Sequence, residues 1–211
     1  KIYDISMAIK EQMSVYKGME EKRPKLTPVR KIPEDTINET LIEFNVHTGT
    51  HIDAPLHMFE KGESIDEIDL QKLMTKVKVF DLCDVSDGIS EDDLRTKNIQ
   101  NGDAVLFKTQ NSKQDTVPVD FVYLTEEAAE YLVRKNITVV GIDALGIERN
   151  QQGHPTHKTL MNAGVIIIEG LCLGEIDEGE YLMIALPLKA ITRNEEPRLV
   201  YLPNPLMASG Q

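Results

Sequence analysis

The sequence predicts an α/β fold, a mixed β-sheet with helices packed on it. Short segments rich in β-branched and aliphatic residues recur along the chain, and they outnumber the amphipathic stretches. One amphipathic stretch also runs straight into an aliphatic one, the helix-to-strand step that builds α/β layers. In chain order the candidate strands are 2–5, 41–46, 77–82, 104–109, 138–142, 165–171, 181–188 and 198–202. Between the first two, residues 20–35 are polar and carry Pro24, Pro28 and Pro33, so they read as an irregular loop of the kind that often contacts substrate. Ser90-Glu91-Asp92-Asp93 has the Ser-x-x-acid form of a helix start. Thr125-Glu126-Glu127 places a capping hydroxyl and two carboxylates ahead of Ala128, Ala129, Leu132 and Val133, an amphipathic helix that runs out at Asn136 before the strand 138–142.

Composition narrows the function classes. The 211 residues are 41% hydrophobic and 27% charged, near the averages of folded domains, so residues 1–211 are expected to form a single domain with a core of its own. A net charge of −12 opposes binding to phosphate backbones and anionic membranes, so neither nucleic acid nor membrane is an expected partner. The longest apolar runs, such as Val165-Ile166-Ile167-Ile168, have strand length and fall far short of a membrane span. Asp4 interrupts the segment where a secretory leader would be apolar, so a cytoplasmic location is expected. Cys83 and Cys172 show no CxxC or zinc-knuckle spacing and are expected to be small buried hydrophobes.

All five histidines fall in two short segments. The first reads His47-Thr48-Gly49-Thr50-His51-Ile52-Asp53-Ala54-Pro55-Leu56-His57, with every candidate ligand at an odd position. In an extended chain these side chains share one face, whereas Gly49, two threonines and Pro55 oppose a helix. Three imidazoles and a carboxylate at the end of an apolar strand need a partner if buried, and a divalent cation is that partner. Imidazole nitrogen with carboxylate oxygen suits Zn²⁺, or Mn²⁺ and Fe²⁺ with more oxygen ligation. His57 lies beyond Pro55, where the chain is expected to turn, and reads either as a ligand or as a free acid/base.

The second segment runs from His154 through His157 to the aliphatic strand that ends at Glu169. A carboxylate closing four aliphatic residues is costly to bury unless it is paired, protonated or bound to metal. His157 is placed to add a nitrogen ligand from the turn before that strand. His154, in a loop beside Pro155, reads as exposed.

His-x-Gly-Thr-His-x-Asp-x-Pro-x-His resembles the signature of the metal-dependent cyclase-like hydrolases, a family that includes the kynurenine formamidases. The likeness extends through 45–70, through Val140-Gly141-Ile142-Asp143-Ala144-Leu145 and from His157 to Leu171, and with Tyr3-Asp4-Ile5-Ser6 it spans nearly the whole chain. The resemblance implies a swivelling β/β/α domain built on a mixed sheet, assembled as a homodimer or homotetramer. It implies His47 and His51 on one metal, Asp53 and Glu169 bridging, His157 on a second metal, and His57 as the catalytic acid/base. Two Zn²⁺ per chain are the implied cofactors, with Mn²⁺ the alternative. Where the formamidases carry Trp-Pro-Gly, this chain reads Tyr16-Lys17-Gly18 and has no Trp, so Tyr16 takes the place of the substrate-contacting Trp. The implied reaction is hydrolysis of a small N-formyl arylamine to formate and amine. The alternatives are hydrolysis of a cyclic amide or lactone, as in the isatin hydrolases, and metal-dependent binding of a small molecule without turnover. No Gly-x-Ser-x-Gly elbow offers a serine route.

Overall fold

A computed structural model describes residues 1–113, 117–188 and 206–209, the last four by backbone alone. Eight strands pair into one mixed sheet in the order β1 (Ile2–Asp4), β12 (Leu206–Ser209), β11 (Gly179–Ile184), β5 (Met74–Asp81), β7 (Ala104–Lys108), β9 (Val139–Ile142), β10 (Ile166–Glu169) and β4 (His51–Asp53). The neighbours from β5 to β10 are parallel, and antiparallel strands flank them on both sides. The mixed α/β architecture expected from the sequence is therefore present.

The central strands β7, β9 and β10 are aliphatic runs because they are buried on both faces of the sheet. Along β7, Val105 and Phe107 join a core with Leu132, Val140 and Leu160, while Ala104 and Leu106 join a second core with Ile52, Val79 and Ile168. The first core is covered by α1 (Glu91–Arg95), α2 (Glu126–Arg134) and α3 (Pro155–Asn162). α1 starts at Ser90, whose hydroxyl accepts from Asp93 N–H while the Asp93 carboxylate accepts from Ser90 N–H at 2.8 Å. α2 starts at Thr125, whose Oγ1 accepts from Ala128 N–H, and it buries Ala128, Ala129 and Leu132. Among the described residues, no helix is long and apolar enough to cross a membrane.

Several expectations need correction. Residues 20–35 are not wholly irregular, because β2 (Lys25–Arg30) pairs with β3 (Glu39–Glu43) in a separate exposed ribbon. Pro28 is tolerated in a two-stranded ribbon, where no second neighbour requires its missing N–H. A further short parallel pair, β6 (Gly88–Ile89) with β8 (Tyr123–Leu124), leads into α1 and α2. α3 occupies what read as a loop and turn; Pro155 at its first position was the available signal. Cys83 is half-buried and Cys172 exposed, so neither is the buried hydrophobe expected. The candidate strand 198–202 lies outside the described residues.

Candidate metal centre

The site forms where the C-terminal end of β10 meets the edge strand β4. Antiparallel register puts Glu169 opposite His51 and Ile167 opposite Asp53. His51 and Asp53 alternate with Ile52, so both project away from the core that takes Ile52. The shared-face reading holds for these two alone, since His47 arrives by a turn. Thr48 N–H donates to the Asn45 carbonyl at 2.9 Å, and Gly49 adopts φ 71°. That turn lies against Gly170, which has φ 69° and whose Cβ, were there one, would lie 2.4 Å from the Gly49 carbonyl oxygen. Glycine at 170 thus lets the His47 turn and the end of β10 meet.

A short 3-10 turn, Pro55–His57, then bends His57 back over the cluster, its ring centroid 4.4 Å from that of His47 and 5.8 Å from that of His157. His157 comes from α3 and is buried. The structure therefore brings His47, His51, Asp53, His57, His157 and Glu169 together, from one turn, two strands, a 3-10 turn and a helix.

The polar contacts divide into two sides. On one side, His47 Nδ1 lies 2.9 Å from His51 Nε2 and 3.3 Å from Asp53 Oδ1, and His51 Nε2 lies 3.3 Å from Glu169 Oε2. On the other, His157 Nε2 lies 3.2 Å from Asp53 Oδ2 and 3.3 Å from Glu169 Oε1. Each carboxylate thus offers one oxygen to each side. Their partners assign the histidine tautomers. His51 Nδ1 faces the Gly49 carbonyl at 3.0 Å, which can only accept, so that nitrogen carries the proton and Nε2 of the neutral ring presents its lone pair to the carboxylates. His157 Nδ1 likewise donates to Glu148 Oε1 at 2.7 Å, leaving its Nε2 lone pair toward Asp53 and Glu169. Lone pairs facing carboxylate oxygens repel unless a proton or a cation lies between them. Asp53 Oδ1 is moreover buried without a hydrogen-bond partner. This donor set fits divalent cations, with both outer ring nitrogens anchored as metal-ligating imidazoles characteristically are.

Protons alone would otherwise fill that role, and the charges show it. Burial opposes a charge on His51, but the hydrogen bond to Glu169 and the Asp53 and Glu169 charges outweigh it and raise the pKa to about 9. His157 is raised as well, again against burial, by its contacts with Asp53, Glu148 and Glu169. Asp53 and Glu169 are lowered because the histidines around them outweigh their desolvation. His57 moves the other way: desolvation among the surrounding side chains lowers it, the Asp53 charge opposes this, and His47 and His157 lower it further. A neutral imidazole on the open side of the cluster is suited to accept a proton.

A cavity of about 320 Å³ opens above the cluster, with Tyr16, Lys22, Met58 and Leu145 in its walls. Tyr16 reaches it with its hydroxyl tied to the Arg149 carbonyl at 2.6 Å and its ring beside Phe121. Glu148 was not legible in the sequence. It follows Leu145-Gly146-Ile147 on an irregular stretch, where an acidic residue gives no sign of burial, yet its carboxylate accepts from His157, from His154 Nδ1 at 2.8 Å and from Thr156 N–H at 3.0 Å. His154 is exposed as expected, with left-handed φ 56°, but it is anchored by that contact.

Known proteins resemble this chain. A family model described as "Putative cyclase" matches residues 3–149. The kynurenine formamidase of Salinibacter ruber is 28% identical over 199 residues, which cover 93% of this chain and 94% of that relative. The solved structure of a "predicted metal-dependent hydrolase" from Bacillus stearothermophilus superposes with a TM-score of 0.87 at 49% identity, covering 98% of this chain and 97% of that one. Isatin hydrolase A from Labrenzia aggregata shares the fold, with a TM-score of 0.82 at 21% identity over 98% of this chain and 93% of its own.

Proposed function

The chain belongs to the cyclase family, and from that membership we propose that it is a metal-dependent amidohydrolase, an arylformamidase that hydrolyses N-formyl-L-kynurenine or a related N-formyl arylamine to formate and the amine. The observation that carries the reading is the pair of tautomer-locked imidazoles, His51 and His157, aimed at Asp53 and Glu169 with Asp53 Oδ1 left unpartnered beneath an open pocket. The likeness to a kynurenine formamidase over nearly the full length supports the substrate class.

His47 and His51 would hold one ion, His157 a second, with Asp53 and Glu169 shared between them; Zn²⁺ is the proposed metal and Mn²⁺ the alternative. Divalent ions there supply Lewis acidity toward the substrate carbonyl and a water whose pKa is lowered toward neutrality. His57, held neutral by its surroundings, takes the proton of the attacking water on its free imidazole nitrogen. It returns that proton to the departing arylamine nitrogen as the C–N bond breaks. Tyr16, Met58 and Leu145 give the aryl ring an apolar wall. The same reading takes residues 1–211 as one hydrolase domain acting on a small molecule, as a homodimer or homotetramer in the cytoplasm. The single large sheet supports the first, and the exposed apolar side chains Val29, Leu41 and Ile42 on the β2–β3 ribbon support self-association.

Chelated protein reconstituted separately with Zn²⁺ and Mn²⁺ is expected to release formate from N-formylkynurenine with kcat/KM at or above about 10⁴ M⁻¹s⁻¹. Metal bound without formate release overturns the formamidase assignment. Turnover of isatin or a lactone by the same samples would then assign a cyclic substrate, and tight binding without turnover a non-catalytic binder.

A further inference from the structure

Tyr16 is not free to swing as a stacking plate. Its hydroxyl donates to the Arg149 carbonyl at 2.6 Å, and its Cε2 lies 3.3 Å from where a Cβ on Gly146 would stand, so glycine at 146 lets the ring seat closely. A pinned phenol presents an electron-rich face, and that face attracts cations. The Lys22 ammonium lies 5.3 Å from the Tyr16 ring centroid and lines the cavity above the metal cluster. Lys22 is half-buried and, among the described residues, its ammonium makes no ion pair, although Glu20 and Glu21 are its neighbours and the chain carries 35 acidic residues. Glu20 is instead engaged by Arg23 at 2.6 Å. A cation held over an aromatic ring at the wall of the cavity, with no ion pair among the described residues of so acidic a protein, is placed to receive an anion from the ligand.

Resting on the formamidase reading, we propose that Lys22 is a specificity-determining residue that selects N-formyl arylamines bearing a carboxylate over neutral ones. The ligand would lie with its formyl group toward His57 and the metal ligands and its carboxylate toward Lys22. The remaining cavity walls between them, Met58 and Leu145, are apolar and suit the intervening ring. Net charge −12 disfavours anions over most of the surface, so a local cation is what an anionic substrate requires.

The test uses metal-loaded full-length protein with formanilide as the neutral probe and the three isomeric formamidobenzoates, which set the carboxylate at different distances from the formyl group. Both kcat/KM and, by calorimetry, Kd are measured for wild type, Lys22→Gln and Lys22→Glu. The preference for the best formamidobenzoate over formanilide is expected to fall about 10- to 100-fold in Lys22→Gln, as for loss of a hydrogen bond to a charged group, and further in Lys22→Glu. Equal effects on neutral and anionic probes, or none, overturn the assignment. If no probe is hydrolysed the formamidase reading fails, and Kd still decides the role of Lys22: unchanged formamidobenzoate affinity in both variants refutes it.

Discussion

Removing the Glu148 carboxylate should separate metal affinity from the metal ligands themselves, because Glu148 touches His157 only through the nitrogen that faces away from Asp53 and Glu169. In Glu148→Ala, three donors lose their acceptor: His157 Nδ1–H at 2.7 Å, Thr156 N–H at 3.0 Å and His154 Nδ1–H at 2.8 Å. His157 and Thr156 are buried, and each buried donor left unsatisfied costs about 1–3 kcal/mol, so their loss together costs roughly 2–6 kcal/mol of stability. His154 is half exposed and regains water. The ring of His157 also becomes free to exchange tautomers, and loss of such an anchoring contact weakens metal binding about 10- to 100-fold. Glu148→Gln keeps the shape and can turn its carbonyl oxygen to the two imidazoles. Its amide nitrogen then meets Thr156 N–H donor to donor, so an intermediate loss is expected. The assay is competition with a fluorescent chelator for Zn²⁺, run beside circular dichroism and thermal melting. Wild-type zinc affinity in folded Glu148→Ala would refute the anchoring role and with it the tautomer assigned to His157.

Other outcomes test the rest of the site. His57→Ala should lower kcat by roughly 10² to 10⁴ with metal content per chain unchanged, and loss of metal would make His57 a ligand instead. Gly170→Ala should cost roughly 2–5 kcal/mol, combining a left-handed φ with a Cβ driven against the Gly49 backbone, and should weaken metal binding by pushing the His47 turn away; a Tm like that of wild type contradicts this. In metal-stripped protein, the raised His51 pKa contributes stability that is fully present below its unfolded value of 6.5 and is lost as pH rises through about 9, on the order of 3 kcal/mol. Melting temperature of the stripped protein should therefore fall across that interval while the metal-loaded protein is spared this loss, and parallel pH profiles would show that the cation does not replace the proton.

Much of the fold and of the site is legible in the sequence alone. Runs of β-branched and aliphatic residues mark the central strands, and Ser90 and Thr125 mark two helix starts, because such runs and caps are properties of a few adjacent residues. Spacing likewise marked His51 and Asp53 as a same-face pair. Where the local pattern was interrupted, the reading failed: prolines hid β2, a proline-led helix hid α3, and a glycine turn rather than an extended strand delivers His47. Residue identity could nominate His47, His51, Asp53, His157 and Glu169 as ligands. Which oxygen faces which nitrogen is set by the β4–β10 register, by α3 packing beside that pair and by Gly170 meeting Gly49, contacts between segments about a hundred residues apart or more. For the same reason Glu148 and Lys22 stayed hidden. An acid or a lysine looks alike in sequence whether solvent surrounds it or a buried imidazole or an aromatic ring does, and only packing decides which.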